Sequence, residues 1–166
     1  NAVRHDPLTG LPLRYNIEND FALCQKEAQR NRTLLYVVMI DVDHFKPIND
    51  TYGHQVGDQV LRHLAGTLKQ GLRGNEPLYR FGGEEFVWLL KCKSPEEARK
   101  SARRILASVG TTPVPIENGE TLRLTITMGL ALVGETEDLS SAIKRADSAM
   151  YEGKQSGRNR FVIAET

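Results

Sequence analysis

The chain has 166 residues, of which 40% are hydrophobic, and 22 Lys and Arg stand against 21 Asp and Glu. That length fits one domain spanning 1–166 with a substantial core, and a net charge of +1 gives no overall case for a nucleic-acid or membrane partner. Cys24 and Cys92 stand apart from each other and from any Cys/His ligand spacing, which disfavours structural zinc and points to reduced thiols in a cytosolic setting. No apolar run approaches the length of a membrane span, and no signal-peptide pattern is present. The sequence opens on Asn1 without a methionine, so it is expected to be part of a longer protein.

In chain order, Asp6-Pro7-Leu8-Thr9-Gly10 is dense in turn formers. Ile17, Phe21, Cys24 and Ala28 then recur at the spacing of one helix face, and the pattern ends at Asn31-Arg32-Thr33. Residues 34–40 form a nearly unbroken apolar run suited to a strand buried on both faces, followed at once by Asp41-Val42-Asp43. Pro47 is expected to open a short helix and Gly53 to close it. A longer helix presents Val60, Leu61, Leu64, Ala65 and Leu68 on one face.

Residues 80–86, Arg-Phe-Gly-Gly-Glu-Glu-Phe, read as the tip of a β-hairpin, with Gly82 and Gly83 expected at positive φ and keeping side chains away from whatever approaches. Strand alternation turns Glu84 and Glu85 to opposite sides unless a bulge intervenes. Ser94-Pro95-Glu96-Glu97 is a capping box that starts a further helix. A connection or short hairpin over 111–119 precedes an alternating strand over 122–133, in which Gly129 marks a bulge or a close backbone contact. A last helix carries Leu139, Ile143, Ala146 and Met150 on its inner side. A basic loop over 154–160 and a short strand over 161–163 end the chain. The order predicts an α+β fold whose sheet contains antiparallel strands and is covered by helices.

Asp41, Asp43, Glu84 and Glu85 all fall at strand ends, where adjacent strands can gather them. Oxygen donors without His or Cys favour Mg²⁺ or Mn²⁺ bridging to substrate phosphates, and Lys46, Lys154 and Arg158 are placed to neutralise phosphate charge. Asn49 and Asp58 have the chemistry to read guanine, although Asp58 equally suits the N-cap of a helix starting there. No nucleophile triad and no GxxxxGK[ST] loop is present. The residues alone point to a metal-dependent phosphoryl or nucleotidyl transferase.

Residues 80–86 resemble the signature of the GGDEF family, the diguanylate cyclases, in its GGEEF form. The resemblance extends through Asp6-Pro-Leu-Thr-Gly-Leu11, Asp41-Val-Asp-His-Phe-Lys46, Ile48-Asn-Asp50, Gly53-His54, Gly57-Asp58, Ala146-Asp147, Ala149-Met-Tyr151 and Lys154-Gln-Ser-Gly-Arg-Asn159, in the family's order. It implies a fold like the class III nucleotide cyclases and polymerase palms, with a ferredoxin-like core and a mostly antiparallel central sheet. It also implies condensation of two GTP into cyclic di-GMP with release of pyrophosphate by a face-to-face homodimer. Carried over by position, Asp41 and Glu84 with the Val42 carbonyl would hold Mg²⁺ or Mn²⁺, and Glu85 would act on the attacking hydroxyl. Asn49 and Asp58 would recognise guanine, next to Gly82 and Gly83. Lys46, Lys154, Arg158 and the backbone at His44 and Phe45 would hold phosphates.

Two positions depart from the pattern. Arg73-Gly74-Asn75-Glu76 stands where the family has an RxxD product-inhibition site, so inhibition by cyclic di-GMP is expected to be weak or absent, and Leu13 replaces a usual Asn. The expected setting is cytoplasmic, behind an N-terminal sensor domain, in a protein that an unseen segment could anchor to a membrane. The rival reading is a catalytically silent module that binds GTP or cyclic di-GMP.

Overall fold

The computed structural model describes residues 4–73 and 76–166. A short 3-10 turn at Arg14–Asn16 leads into α1, Ile17–Asn31, and β1 follows as Leu34–Val42. Next come α2, Phe45–Tyr52, and α3, His54–Gly71, then β2, Leu78–Arg80, and β3, Glu85–Cys92. After α4, Pro95–Thr111, a two-stranded ladder joins β4, Val114–Pro115, to β5, Thr121–Leu122. The chain ends with β6, Ile126–Leu132, α5, Leu139–Gln155, and β7, Arg160–Ile163.

Five strands form one sheet in the order β2-β3-β1-β6-β7. Three of its ladders are antiparallel, and only β7 runs parallel to its neighbour β6. This is the expected mostly antiparallel α+β sheet. β1 is central because its side chains are apolar on both faces: Tyr36, Val38, Ile40 and Val42 enter the core under α3 and α4, whereas Leu35, Val37 and Met39 enter the core under α1 and α5. Each fully buried Ile, Leu or Val of these layers contributes roughly 1.5–3 kcal/mol through apolar burial.

Several boundaries differ from the sequence reading for definable reasons. The strand expected over 122–133 is two elements, β5 and β6, because residues 121–122 pair with β4 and only residues 126–132 pair with β1. Pro47 lies at the third position of α2 rather than the first. The first four amides of a helix lack intrahelical acceptors, so its missing N–H is tolerated there. Gly53, at φ 92°, both closes α2 and precedes α3, so Asp58 lies inside α3 and does not cap it. Gly129 marks a close contact and no bulge: the β1–β6 register runs through it unbroken, and a Cβ there would lie 2.0 Å from the Ala146 carbonyl oxygen and 2.4 Å from the Met150 nitrogen. α5 can therefore sit directly on the backbone of β6. Ser94 caps α4 as the capping box predicts, its hydroxyl accepting from the Glu97 amide. Among the described residues no helix is long and apolar enough to cross a membrane.

Candidate active site

The antiparallel register sets Asp41 on β1 directly opposite Glu85 on β3. Asp41 lies in β1, which is buried from Leu35 onward, and Asp43 lies just past its end; both are themselves buried. Their surroundings differ sharply. Asp43 accepts hydrogen bonds from the Thr125 and Thr127 hydroxyls, each at 2.6 Å, and from the Asn159 amide at 3.0 Å, while its own amide donates to the Thr125 carbonyl. Asp41 receives Lys154 Nζ on Oδ2, but its buried Oδ1 finds no hydrogen-bond partner among the described residues. Of the two, Asp43 is a structural tie and Asp41 is the one with an oxygen left over.

The hairpin tip brings both Glu84 and Glu85 within reach of the Asp41 charge, but of the two only Glu84 lines the clefts described below. The Phe81 amide donates to the Glu85 carbonyl at 2.8 Å and the Gly82 amide to the same oxygen at 3.2 Å, which closes the turn. Neither Gly82 nor Gly83 has positive φ, contrary to expectation. At Gly82 a Cβ would lie 2.8 Å from Glu85 Oε1, so glycine there leaves the Glu85 carboxylate where it is, and a side chain would push it aside. Burial raises the proton affinity of Glu84, the charge of Asp41 raises it further, and Lys154 opposes them; the charge of Glu85 and a hydrogen bond that a protonated Glu84 can give to Asp41 add to the rise. Glu85 is raised in the same way by burial, then by Asp41 and Asp147, against Lys154 and Arg14. Three carboxylates thus crowd around one lysine in a partly dehydrated setting, and the electrostatics call for a further cation.

A cleft of about 270 Å³ adjoins this cluster, and its lining includes Asp41, Val42, Glu84, Lys154 and Arg158 together with residues 43–47. The first amides of α2, behind His44 at φ 58°, lie on the same cleft. A second cleft of about 300 Å³ shares Phe45, Lys46 and Glu84 with the first and adds Asn49, His54, Asp58, Leu61, Arg80 and Gly83. Lys154 lies in the last turn of α5, and Arg158 in the loop that follows it, at φ 63°. Lys46 is exposed and pairs with Asp50 at 3.2 Å. Among the described residues no three His, Cys, Asp or Glu side chains gather as a metal cage. A partnerless buried oxygen of Asp41 facing Glu84 still suits one hard cation with open positions for other oxygens.

The sequence reading assigned no role to Arg80, which organises the tip from behind. Its guanidinium donates to the carbonyls of Gly82, at 3.3 Å, and Gly83, at 2.7 Å, and to both oxygens of Asp6 at 3.0 Å. Burial pushes the Asp6 carboxyl up, but the Thr9 hydroxyl and amide together with Arg80 outweigh it and hold it below its usual range. The signal was present in the turn-dense stretch 6–10, though not its partner. Glu76, at the degenerate RxxD position, is turned to internal use: it accepts from the Trp88 indole at 3.3 Å and from the Lys91 amide at 2.8 Å. Arg73 is exposed, and Gly74 and Asn75 lie outside the described residues.

A sheet of this order, with two adjoining clefts that share Phe45, Lys46 and Glu84, defines an α+β domain with an acidic, phosphate-sized site. The chain matches the family described as "Diguanylate cyclase, GGDEF domain" over residues 3–160 and belongs to it. It is 43% identical over 160 residues to the diguanylate cyclase DgcZ of Escherichia coli, covering 96% of this chain and 53% of that protein, so it spans about half the length of that relative. Among solved structures, the GGDEF domain of the Pseudomonas aeruginosa protein TpbB or YfiN superposes with a TM-score of 0.91 at 37% identity, covering 98% of this chain and 95% of that one. The GGDEF domain of DgcB from Caulobacter crescentus, solved in complex with c-di-GMP, superposes with a TM-score of 0.90 at 30% identity, covering 100% of this chain and 98% of that one.

Proposed function

We propose that this chain is the catalytic domain of a diguanylate cyclase, joining two GTP molecules into cyclic di-GMP. The observation that supports it most is the buried, partnerless Oδ1 of Asp41 beside Glu84, at the head of a cleft that also carries Lys154 and Arg158. In this reading Asp41, Glu84 and the Val42 carbonyl hold Mg²⁺ or Mn²⁺, which when bound supplies positive charge against the phosphates. Glu85, with its raised proton affinity, takes up or polarises the proton of an attacking 3′-hydroxyl. Each 3′-oxygen forms a bond to an α-phosphorus as the bond from that phosphorus to pyrophosphate breaks, so two GTP give one cyclic di-GMP and two pyrophosphates.

Lys154, Arg158, Lys46 and the backbone amides at His44 and Phe45 bind the phosphates. Asn49 and Asp58 lie in the adjoining cleft, beside Gly83, and read the guanine there. Each domain presents one nucleotide, so turnover requires two domains face to face, brought together in the full-length protein by a preceding sensor domain. The domain works on the cytoplasmic side, where GTP is available. Because the Glu76 carboxylate is already bonded to β3, inhibition by product through Arg73 and Glu76 is weak.

The test is product formation from GTP and Mg²⁺ across a wide range of protein concentration, with Glu85→Gln as the blank. Cyclic di-GMP rising more steeply than protein concentration is the expected result. Glu85→Gln is expected to lose turnover while retaining GTP, and Asp41→Ala to lose metal-dependent binding as well. Nucleotide binding with no product, even when two domains are forced together, would replace this reading with that of a silent binding module.

A further inference from the structure

Gly57 occupies the first turns of α3, where alanine would be the better helix former. Its φ lies outside the left-handed region, so the backbone does not require glycine. The space a side chain would fill is taken by a neighbouring side chain. A Cβ at position 57 would fall 1.8 Å from Asn49 Oδ1 and 3.0 Å from Asn49 Cγ, with Phe45 Cζ next at 3.4 Å. The Asn49 carboxamide of α2 is therefore seated edge-in against the bare backbone of α3.

That seat is costly for the carboxamide, because Oδ1 is buried and finds no hydrogen-bond partner among the described residues. Asn49 nevertheless lines the second cleft together with Asp58 and His54. With Oδ1 closed off against α3, the Nδ2 amide donors are the groups left for a ligand in that cleft. Guanine presents O6 and N7 as neighbouring acceptors on one edge, whereas adenine places its N6 amino donor where guanine has O6. An amide donor held at fixed depth accepts the first base and repels the second.

We propose that Gly57 is a specificity-determining positioning residue, whose missing side chain lets the Asn49 carboxamide recess and face the base with its donors. This rests on the guanine-nucleotide reading of the cleft. A side chain at 57 drives the carboxamide out of its seat into the space the base needs, and it does so without touching the carboxylate cluster.

The test uses Gly57→Ala, Asn49→Ala and the double variant, with calorimetric binding of GTP and of ATP in Mg²⁺, steady-state kinetics and thermal denaturation. Gly57→Ala is expected to keep Tm at or above that of the parent. It is expected to lose on the order of tenfold in GTP affinity, the scale of one hydrogen bond. The preference for GTP over ATP falls with it, and the loss appears mainly in KM rather than kcat. In the Asn49→Ala background the same substitution is expected to change nothing further. Unaltered GTP affinity in Gly57→Ala, an additive loss in the double variant, or a lowered Tm that Asn49→Ala does not restore would each overturn the proposal. If Asn49→Ala itself leaves GTP affinity and preference unchanged, the guanine reading of Asn49 falls first. If Asn49→Ala weakens binding while Gly57→Ala is silent, only the role of Gly57 falls.

Discussion

The two ends of β6 hold acidic groups in opposite circumstances. At the Leu132 end, Arg145 donates to the Leu132 carbonyl at 2.5 Å and to the two carboxylate oxygens of Glu137 at 2.7 and 2.9 Å, and the Ser141 hydroxyl and Gly134 amide donate to the same carboxylate. The Arg145 hydrogen bonds lead the effect and carry Glu137 from an ordinary 4.5 down to about 2. At the other end, beside Asp41 and Thr127, burial and neighbouring carboxylates raise Glu84 and Glu85, and Lys154 is the cation that opposes both. The residue types are alike; the supply of donors differs. Where donors are plentiful, acidic side chains stabilise the fold, and where they are short the charge is left available to a ligand.

The strongest way to break this contrast is Glu84→Gln, which removes one of the crowded charges. Turnover is expected to fall on the order of 10³-fold, about 4 kcal/mol in the barrier, while Tm stays level or rises because repulsion with Asp41 is relieved. A product assay beside thermal denaturation checks both, and a clearly lowered Tm would mean that the cluster is not under electrostatic stress.

Asp43→Ala should do the reverse at almost the same place. It strands the Thr125 and Thr127 hydroxyls and the Asn159 amide, and is expected to cost about 2–3 kcal/mol of stability by urea denaturation. Nucleotide affinity is expected to fall with it, through displacement of the Arg158 loop. Stability equal to the parent would show that Asp43 is not the tie that its hydrogen bonds describe.

The smallest effect is expected at the far end, from Glu137→Gln. The folded-state value of about 2 lies below the ordinary 4.5, so the stabilisation is complete above about 4.5 and is lost as pH falls through about 2. The variant should be less stable by about 1–2 kcal/mol at neutral pH. The difference should shrink as pH drops through that window, and turnover at neutral pH should be unaffected. Urea midpoints measured across the acid range would show a parallel offset at every pH if the Arg145 pairing were not the cause.

Much of this arrangement was legible in the sequence because it is encoded locally. The double-faced apolar run of β1, the one-sided pattern of α3 and the capping box of α4 each depend on residues within a turn or two. What stayed hidden depends on partners far along the chain. Nothing in Thr125-Ile126-Thr127 announces that both hydroxyls serve Asp43, and nothing in residues 6–10 announces Arg80. Asp58 could be read as a cap only because the helix start was placed four residues late; Gly53, which interrupts the path between α2 and α3, was the better marker. The hairpin glycines suggest a need for positive φ, whereas neither has it, and glycine at 82 leaves the Glu85 carboxylate undisturbed. Glu76 looked like a lengthened ligand, and its extra methylene instead accompanies a reach to Trp88 and Lys91.

The bond from Lys154 to Asp41 spans 113 positions of sequence, and that from Asn159 to Asp43 spans 116. As the polypeptide leaves the ribosome, β1 and β3 can pair early and bring Asp41 beside Glu85, but the lysine that tempers that meeting follows Asp41 by 113 positions. Closing so long a loop is entropically slow and is rewarded only when α5 docks on β6. Until then the acidic cluster opposes its own assembly, so the docking of α5 on β6 is also what brings the site its tempering charge.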